Sequence, residues 1–206
     1  MKNNLKRKWY VVWHGFEPGV YETWDECKKQ VDKFNNSSYK SFFSHQEAKK
    51  AYELGPQFYT DIKSVVGEML EIDSNSLSVD AACSGNPGRI EYRGIYMKTK
   101  EEIFHVGPFQ DGTNNIGEFL AIVHGLTWIK QKSFLIPIYS DSKVAISWVQ
   151  NRKCKTKLKQ SDKNICIFNL IYKAEKWLRN NSCYIDLVFK WDTKKWGEIS
   201  ADFSRK

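Results

Sequence analysis

Apolar and polar positions change period several times along the chain, and each change marks an element. "WYVVW" (9–13) reads as a strand and "GVYETW" (19–24) as a second, separated by the Glu17-Pro18-Gly19 turn. "TWDECKKQVDKF" (23–34) has helical spacing with Thr23 or Asp25 at its start. "YKSFF" (39–43) predicts a third strand, and "SHQEAKKAYEL" (44–54) opens on Ser44 with Glu47 three residues later, a capping-box pattern. These elements make a small ββαβα unit over 6–53. Its eleven rings, from Trp9 to Tyr52, are more than so short a segment can bury. Residues 54–75 lose strand patterning and carry Gly, Pro, Ser and Asn, which predicts a linker holding no more than a weak helical turn.

A larger unit is expected over 76–206. "SLSVDAAC" (76–83), "RIEYRGIYMK" (89–98) and "EEIFHVGPF" (101–109) are three consecutive strand patterns. Helical spacing follows in "NIGEFLAIVHGLTWIKQK" (115–132), where Ile116, Phe119, Leu120, Val123 and Leu126 share a face. Then come a strand in "IPIYSD" (136–141), a helix in "SKVAISWVQN" (142–151), a lysine-rich turn, and a long helix in "ICIFNLIYKAEKWLRNN" (165–181). A strand in "YIDLVFKW" (184–191) and a short terminal helix complete the order. An antiparallel run followed by strand–helix alternation predicts an α/β fold: a five-stranded mixed sheet flanked by helices.

Composition narrows the function. The 32 Lys and Arg against 24 Asp and Glu leave a charge of +8, which favours polyanionic partners such as nucleic acid. Five scattered cysteines without a CxxC pair speak against a disulfide framework and a structural zinc site, and fit a reducing cytoplasm. The amino terminus is too polar for a signal peptide, and no stretch is long and apolar enough to span a membrane.

Four acids carry the chemistry. Asp80 sits in the middle of a strand pattern, where an unpaired carboxylate is expensive to bury, and is followed by "CSGNPG". Glu118 lies in the first turns of a helix, Asp141 at a strand's end where open sheets place their crevices, and Asp202 after the last strand. Each has an ordinary alternative: an edge-strand acid facing water, a dipole-compensating Glu, a helix N-cap, a solvated tail residue. Together, however, they can converge at one sheet edge. Clustered carboxylates repel one another and raise their own pKa values, a penalty that hard divalent cations remove. Two Mg²⁺ ions about 3.5–4 Å apart would form a nuclease-type clamp.

"SVDAACSGNPG", "GTNNIGEFLAIVHGL", "IYSDSKVAISWV" and "WDTKKWGEISADFSRK" together resemble type 1 ribonuclease H, in particular short bacterial members. The ring-rich front resembles the hybrid-binding domain that precedes ribonuclease H in many such proteins. The resemblance implies an endoribonuclease acting on the RNA strand of RNA/DNA hybrids, with Asp80, Glu118, Asp141 and Asp202 as ligands of two Mg²⁺ (or Mn²⁺) ions. It implies 5′-phosphate and 3′-hydroxyl ends, and casts Glu198 as the acid assisting metal exchange or product release. A helix N-terminal acid is the alternative for Glu198. Where many members carry a loop histidine, this chain reads "KWDTKKWGE", with Asp192 instead.

The same resemblance assigns substrate contacts. Cys83, Ser84, Gly85 and Asn86 lie beside the RNA strand, whose 2′-hydroxyls distinguish it from DNA. Asn114 and Asn115 match residues that touch both strands, or else cap the helix. Lys143 stands where many relatives have Gln. Thr113 and Thr156, with Lys157, are candidates for a DNA-strand phosphate, although "RKCKTKLKQ" is by default a solvated basic loop. In the front domain Tyr10 and Trp24 match rings that pack against DNA sugars, and Lys40 matches a phosphate contact; ordinary core packing is the rival for the rings. Ser41 replaces a second Lys of several relatives. The expected partner is an RNA/DNA hybrid, with no membrane and a monomeric, cytoplasmic protein. A nonenzymatic hybrid-binding protein and a ribonuclease H segment of a mobile element are the alternatives. The front domain and the initiating Met favour a free-standing protein over the latter.

Overall fold

The computed structural model describes residues 8–67 and 72–203. Residues 6–7 of the expected front domain, 68–71 of the expected linker, and 204–206 at the end of the last motif lie outside the described residues. The chain divides into two compact units, 1–64 and 65–206.

In the first unit, strands β1 (Trp9–His14), β2 (Gly19–Tyr21) and β3 (Ser38–Phe42) form an antiparallel sheet in the order β2-β1-β3. Alternation along β1 sends Val11 and Val12 to opposite faces, both fully buried. Helix α1 (Trp24–Val31) covers one face, packing Cys27 and Val31 on Val12. Helix α2 (His45–Leu54) covers the other, packing Ala48 and Ala51 on Val11 and Phe42. Strand β2 ends at Tyr21, sooner than its apolar pattern implied, because Thr23 is committed to capping α1. The Thr23 hydroxyl accepts from the Glu26 amide and the Glu26 carboxylate accepts from the Thr23 amide. At α2 the Ser44 hydroxyl accepts from the Glu47 amide, while the Glu47 carboxylate accepts from the Tyr59 hydroxyl at 3.1 Å.

The segment expected as a linker holds a full helix, α3 (Pro56–Gly67). Gly55, at φ 76°, ends α2, and Pro56 then starts α3 at a position where its missing amide costs nothing. Tyr59 and Ile62, three apart, are buried, which anchors the helix by its apolar face.

The second unit contains a five-stranded mixed sheet in the order β6-β5-β4-β7-β8. Strands β4 (Leu77–Cys83), β5 (Gly88–Tyr96) and β6 (Glu101–Gly112) are antiparallel neighbours; β7 (Ile138–Ser140) and β8 (Val188–Lys190) join in parallel. Helix α4 (Asn114–Lys132) is buried along most of its circumference, including Ala121, Ile122, Gly125 and Ile129 beyond the predicted face. Helices α5 (Lys143–Gln150) and α6 (Ile165–Asn180) and the short α7 (Thr193–Trp196) complete the unit. The last strand is shorter than "YIDLVFKW" implied: Ser182–Leu187 form a 3-10 turn, with Tyr184 and Leu187 buried at its three-residue period. All five cysteines are free thiols, and among the described residues no helix is long and apolar enough to cross a membrane.

Candidate active site

The site forms where β4 and β7 run parallel and then diverge. Their register pairs Leu77 with Ile138 and Ser78 with Tyr139, and continuing it sets Asp141 beside Asp80. Just past β7, the Ser142 amide bonds the Ser140 hydroxyl, and the Ser142 hydroxyl caps α5 by accepting from the Ala145 amide. Ser142 therefore does the capping that Asp141 was equally suited to, and Asp141 is left at the strand's mouth. Glu118 arrives from α4, whose close approach to β4 depends on Gly117. A Cβ there would sit 2.7 Å from the Ala81 Cβ.

Carboxylate oxygens of Asp80, Glu118 and Asp141 lie within 4.8 Å of one another. Asp80 and Glu118 are each only 8% exposed. Burial, with the charges of Asp141, Glu118 and Asp202, pushes the Asp80 carboxyl up to about 7, although a backbone hydrogen bond at Ala81 opposes the shift. Burial likewise pushes Glu118 up to about 7, with Asp141 adding to the effect and a Ser142 hydrogen bond and the Lys190 charge offsetting part of it. The Asn114 amide donates to Glu118 Oε1 at 2.9 Å, so that residue orients the carboxylate from the helix's first turn. Three closely spaced carboxylates, two of them buried, are suited to a hard divalent cation.

Asp202 stands outside the three-carboxylate group but close enough for its charge to raise Asp80. Its segment is held from β5. Arg93, the register partner of Asp80, donates to the Ala201 carbonyl at 3.0 Å and to the Asp202 carbonyl at 2.6 Å. Glu198 is exposed just beyond α7. Asp192 caps that helix, accepting from the Lys194 amide at 3.1 Å.

The glycine-bearing loop after β4 is tied across its neck by the Ser84 amide to the Arg89 carbonyl and by the Arg89 amide to the Ser84 hydroxyl. The Cys83 thiol donates to the Gly85 carbonyl. Gly85 adopts φ 145°, and a Cβ at Gly88 would meet the Gly85 amide nitrogen at 2.7 Å, so the tight loop needs both glycines. Cys83, Gly85 and Asn86 face Thr113, Asn114 and Asn115 across a hollow of about 420 Å³. A neighbouring hollow of about 460 Å³ brings Thr156 and Lys157 together with Asn86, Thr113 and Asn115. Lys143 is exposed at the first turn of α5.

On the first unit, Tyr10 and Trp24 stand 5.6 Å apart between ring centroids, and Tyr39 lies 5.7 Å from Trp24. Trp24 and Tyr39 are 41% and 46% exposed, so these rings form an open platform more than a core. Trp13 by contrast donates its indole N–H to the Ala51 carbonyl. Lys40 is one residue along β3 from Tyr39 and projects to the other sheet face, its ammonium 5.3 Å from the Tyr59 ring centroid. Ser41 pairs with Tyr10 in register. Sequence reasoning did not single out Tyr39, Arg93, Ser142 or Gly117. For Tyr39, a ring at the start of the predicted strand "YKSFF", beside Lys40, was the available signal; the other three declare themselves only through contacts.

Residues 74–202, more than half of the chain, match the ribonuclease H family. The chain belongs to it. Residues 8–52 match the domain described as the Ribonuclease H1 N-terminal domain. A ribonuclease H of Syntrophomonas wolfei is 31% identical over 134 residues, covering 61% of this chain and 90% of that protein. A ribonuclease H of Saccharomyces cerevisiae is 50% identical over 40 residues, 19% of this chain, and the match spans only 12% of the yeast protein's length. Among solved structures, LC11-RNase H1 in complex with an RNA/DNA hybrid has a TM-score of 0.38 at 13% identity, covering 58% of this chain and 86% of that one.

Proposed function

We propose that the protein is an endoribonuclease that hydrolyses the RNA strand of RNA/DNA hybrids. The observation that carries this reading is the convergence of Asp80, Glu118 and Asp141 within 4.8 Å in a chain of the ribonuclease H family. Asp80, Glu118, Asp141 and Asp202 would hold two Mg²⁺ ions, with Mn²⁺ as a substitute. Held there, the ions would supply Lewis-acid activation of water and charge stabilisation at the leaving 3′-oxygen, consistent with 5′-phosphate and 3′-hydroxyl ends. The chain's own residues prepare the geometry. Asn114 and Ser142 orient Glu118, and Gly117 sets its distance from β4. Exposed Glu198 is free to assist ion or product exchange, while Asp192 is engaged as a cap.

Substrate reading is divided between the strands. The Cys83–Asn86 loop can approach ribose 2′-hydroxyls through backbone and short side chains. Thr113, Asn115, Thr156 and Lys157 gather hydroxyl, amide and ammonium donors suited to a phosphate of the DNA strand. Exposed Lys143 would meet a further backbone phosphate. The front unit, the hybrid-binding domain in this reading, would use Tyr10, Trp24 and Tyr39 as a platform for DNA sugars, and Lys40, on the other sheet face beside Tyr59, would reach a phosphate only by turning away from that ring. It raises local substrate concentration without adding chemistry. Side-by-side incubation of labelled RNA/DNA, RNA/RNA and DNA/DNA duplexes with Mg²⁺, Mn²⁺ or chelator tests the reading. Only the hybrid should be cut, only with metal, and not by Asp141→Asn; cleavage by that variant at the wild-type rate would overturn it.

A further inference from the structure

Of the four carboxylates, Asp80 and Glu118 lie within a strand and a helix and Asp141 directly follows β7, whereas Asp202 lies beyond the last helix with no regular element adjoining it, so its position must be imposed by contacts. One anchor is apolar. Ile199 is 3% exposed among Met97, Tyr139 and Trp191, Ala201 is fully buried, and the Asp202 amide donates back to the Ile199 carbonyl at 2.8 Å. The other anchor is Arg93. Its guanidinium grips two consecutive carbonyls, those of Ala201 and Asp202, and sits 4.5 Å from the ring centroid of Phe203. It thus engages three successive residues with Asp202 in the middle. Glu102 holds the guanidinium from the far side at 3.4 Å, and Lys100 adds a bond from its ammonium to the Ser200 hydroxyl at 3.0 Å.

Arg93 is also the β5 residue paired with Asp80 across the β4–β5 ladder. The same backbone pairing therefore fixes both the first carboxylate and the base of the arm that delivers the last one. We infer that Arg93 is the positioning residue for Asp202, setting its distance from Asp80 through the main chain. Because the two hydrogen bonds to the segment run to carbonyl oxygens, they place the residue without using its carboxylate. A lysine at this point carries the charge but lacks the planar fork that meets two carbonyls and a ring together.

This inference rests on the ribonuclease reading, and its test separates the two. Hydrogen exchange of the full chain without metal requires no activity. In Arg93→Met the Asp202 amide should exchange at least about tenfold faster than in the parent, with α4 amides unchanged, and Arg93→Lys should fall between. Hybrid cleavage supplies the second readout. Arg93→Met should lower kcat about 30-fold or more with KM within about threefold, and should raise the Mg²⁺ concentration for half-maximal rate. In an Asp202→Asn background the same substitution should change kcat less than about twofold, because the group it positions is already gone. Should Arg93→Met not fold, Arg93→Lys and Phe203→Ala carry the same comparison. Unchanged exchange at Asp202, or a loss in the Asp202→Asn background as large as in the parent, would refute the positioning role. A parent protein that cuts no hybrid would refute the ribonuclease reading while leaving the exchange result to decide on Arg93.

Discussion

Replacing Asp80 by Asn should make the metal-free protein more stable while abolishing hybrid cleavage. In the folded chain the Asp80 carboxyl titrates near 7 against an ordinary value of 3.8. A folded pKa above the unfolded one means that this group's stability contribution is complete at low pH and is lost as pH rises. The unfolded chain ionises from about pH 4 upward, whereas the buried site resists ionising until about pH 7. Three units at about 1.4 kcal/mol each amount to a penalty of about 4 kcal/mol at pH 8, against about 1.5 kcal/mol at pH 5. Glu118, raised from 4.5 to about 7, adds a penalty of similar size in the same window. Burial is the largest cause at both carboxyls, so Glu118 keeps its own penalty when Asp80 is replaced. The assay is urea unfolding of the full chain in EDTA, followed at pH 5, 6, 7 and 8. Asp80→Asn should gain roughly 2–4 kcal/mol on the parent at pH 8, and the gain should shrink toward pH 5. Saturating Mg²⁺ should flatten the parent's profile, since an ion bound only to the folded state stabilises by mass action. Parallel pH profiles for parent and Asp80→Asn in EDTA would refute the reasoning.

Other expectations follow from single contacts. Gly117→Ala places a Cβ 2.7 Å from that of Ala81 and should cost about 1–3 kcal/mol, with cleavage reduced more than about tenfold. Adding Ala81→Gly should restore much of both losses, as read by unfolding and initial rates. Trp24→Ala and Tyr39→Ala open the front platform and should each weaken hybrid binding severalfold with kcat unchanged, measured by fluorescence anisotropy and steady-state kinetics. Lys157→Ala, by removing one phosphate contact, should lower the slope of log affinity against log salt by about 1 in a binding titration.

The strongest periodic segments were legible in advance: β1 as a strand, the apolar face of α4, a start of α1 at Thr23 or Asp25 that the structure resolves to Thr23, and the order of strands and helices in the second unit. Elements whose boundaries depend on neighbours were not. Strand β8 shortened because Tyr184 and Leu187 bury at a spacing of three, and α3 formed because Tyr59 packs in the Val11–Phe42 cluster and Ile62 is buried. Propensity reads a window of sequence, whereas these outcomes depend on what lies across the core. The same division runs through the candidate site. The four acids and the glycine loop carry chemical types that sequence can display, so their residues were named beforehand. Arg93, Gly117 and Ser142 carry no such signature: an arginine on a strand, a glycine in a helix and a serine after an aspartate are ordinary.

Sequence by itself determined which side chains were available: an unusual set of carboxylates, a platform of rings, and an excess of cations. Tertiary structure decided which of those carboxylates share a space. Strand register, one helix–strand approach without a Cβ, and a guanidinium across two carbonyls set those distances. The physical reason is range. Periodicity and capping act over a few residues, while electrostatic repulsion between Asp80, Glu118 and Asp141 exists only once segments some sixty residues apart in the chain are brought to the same edge of one sheet.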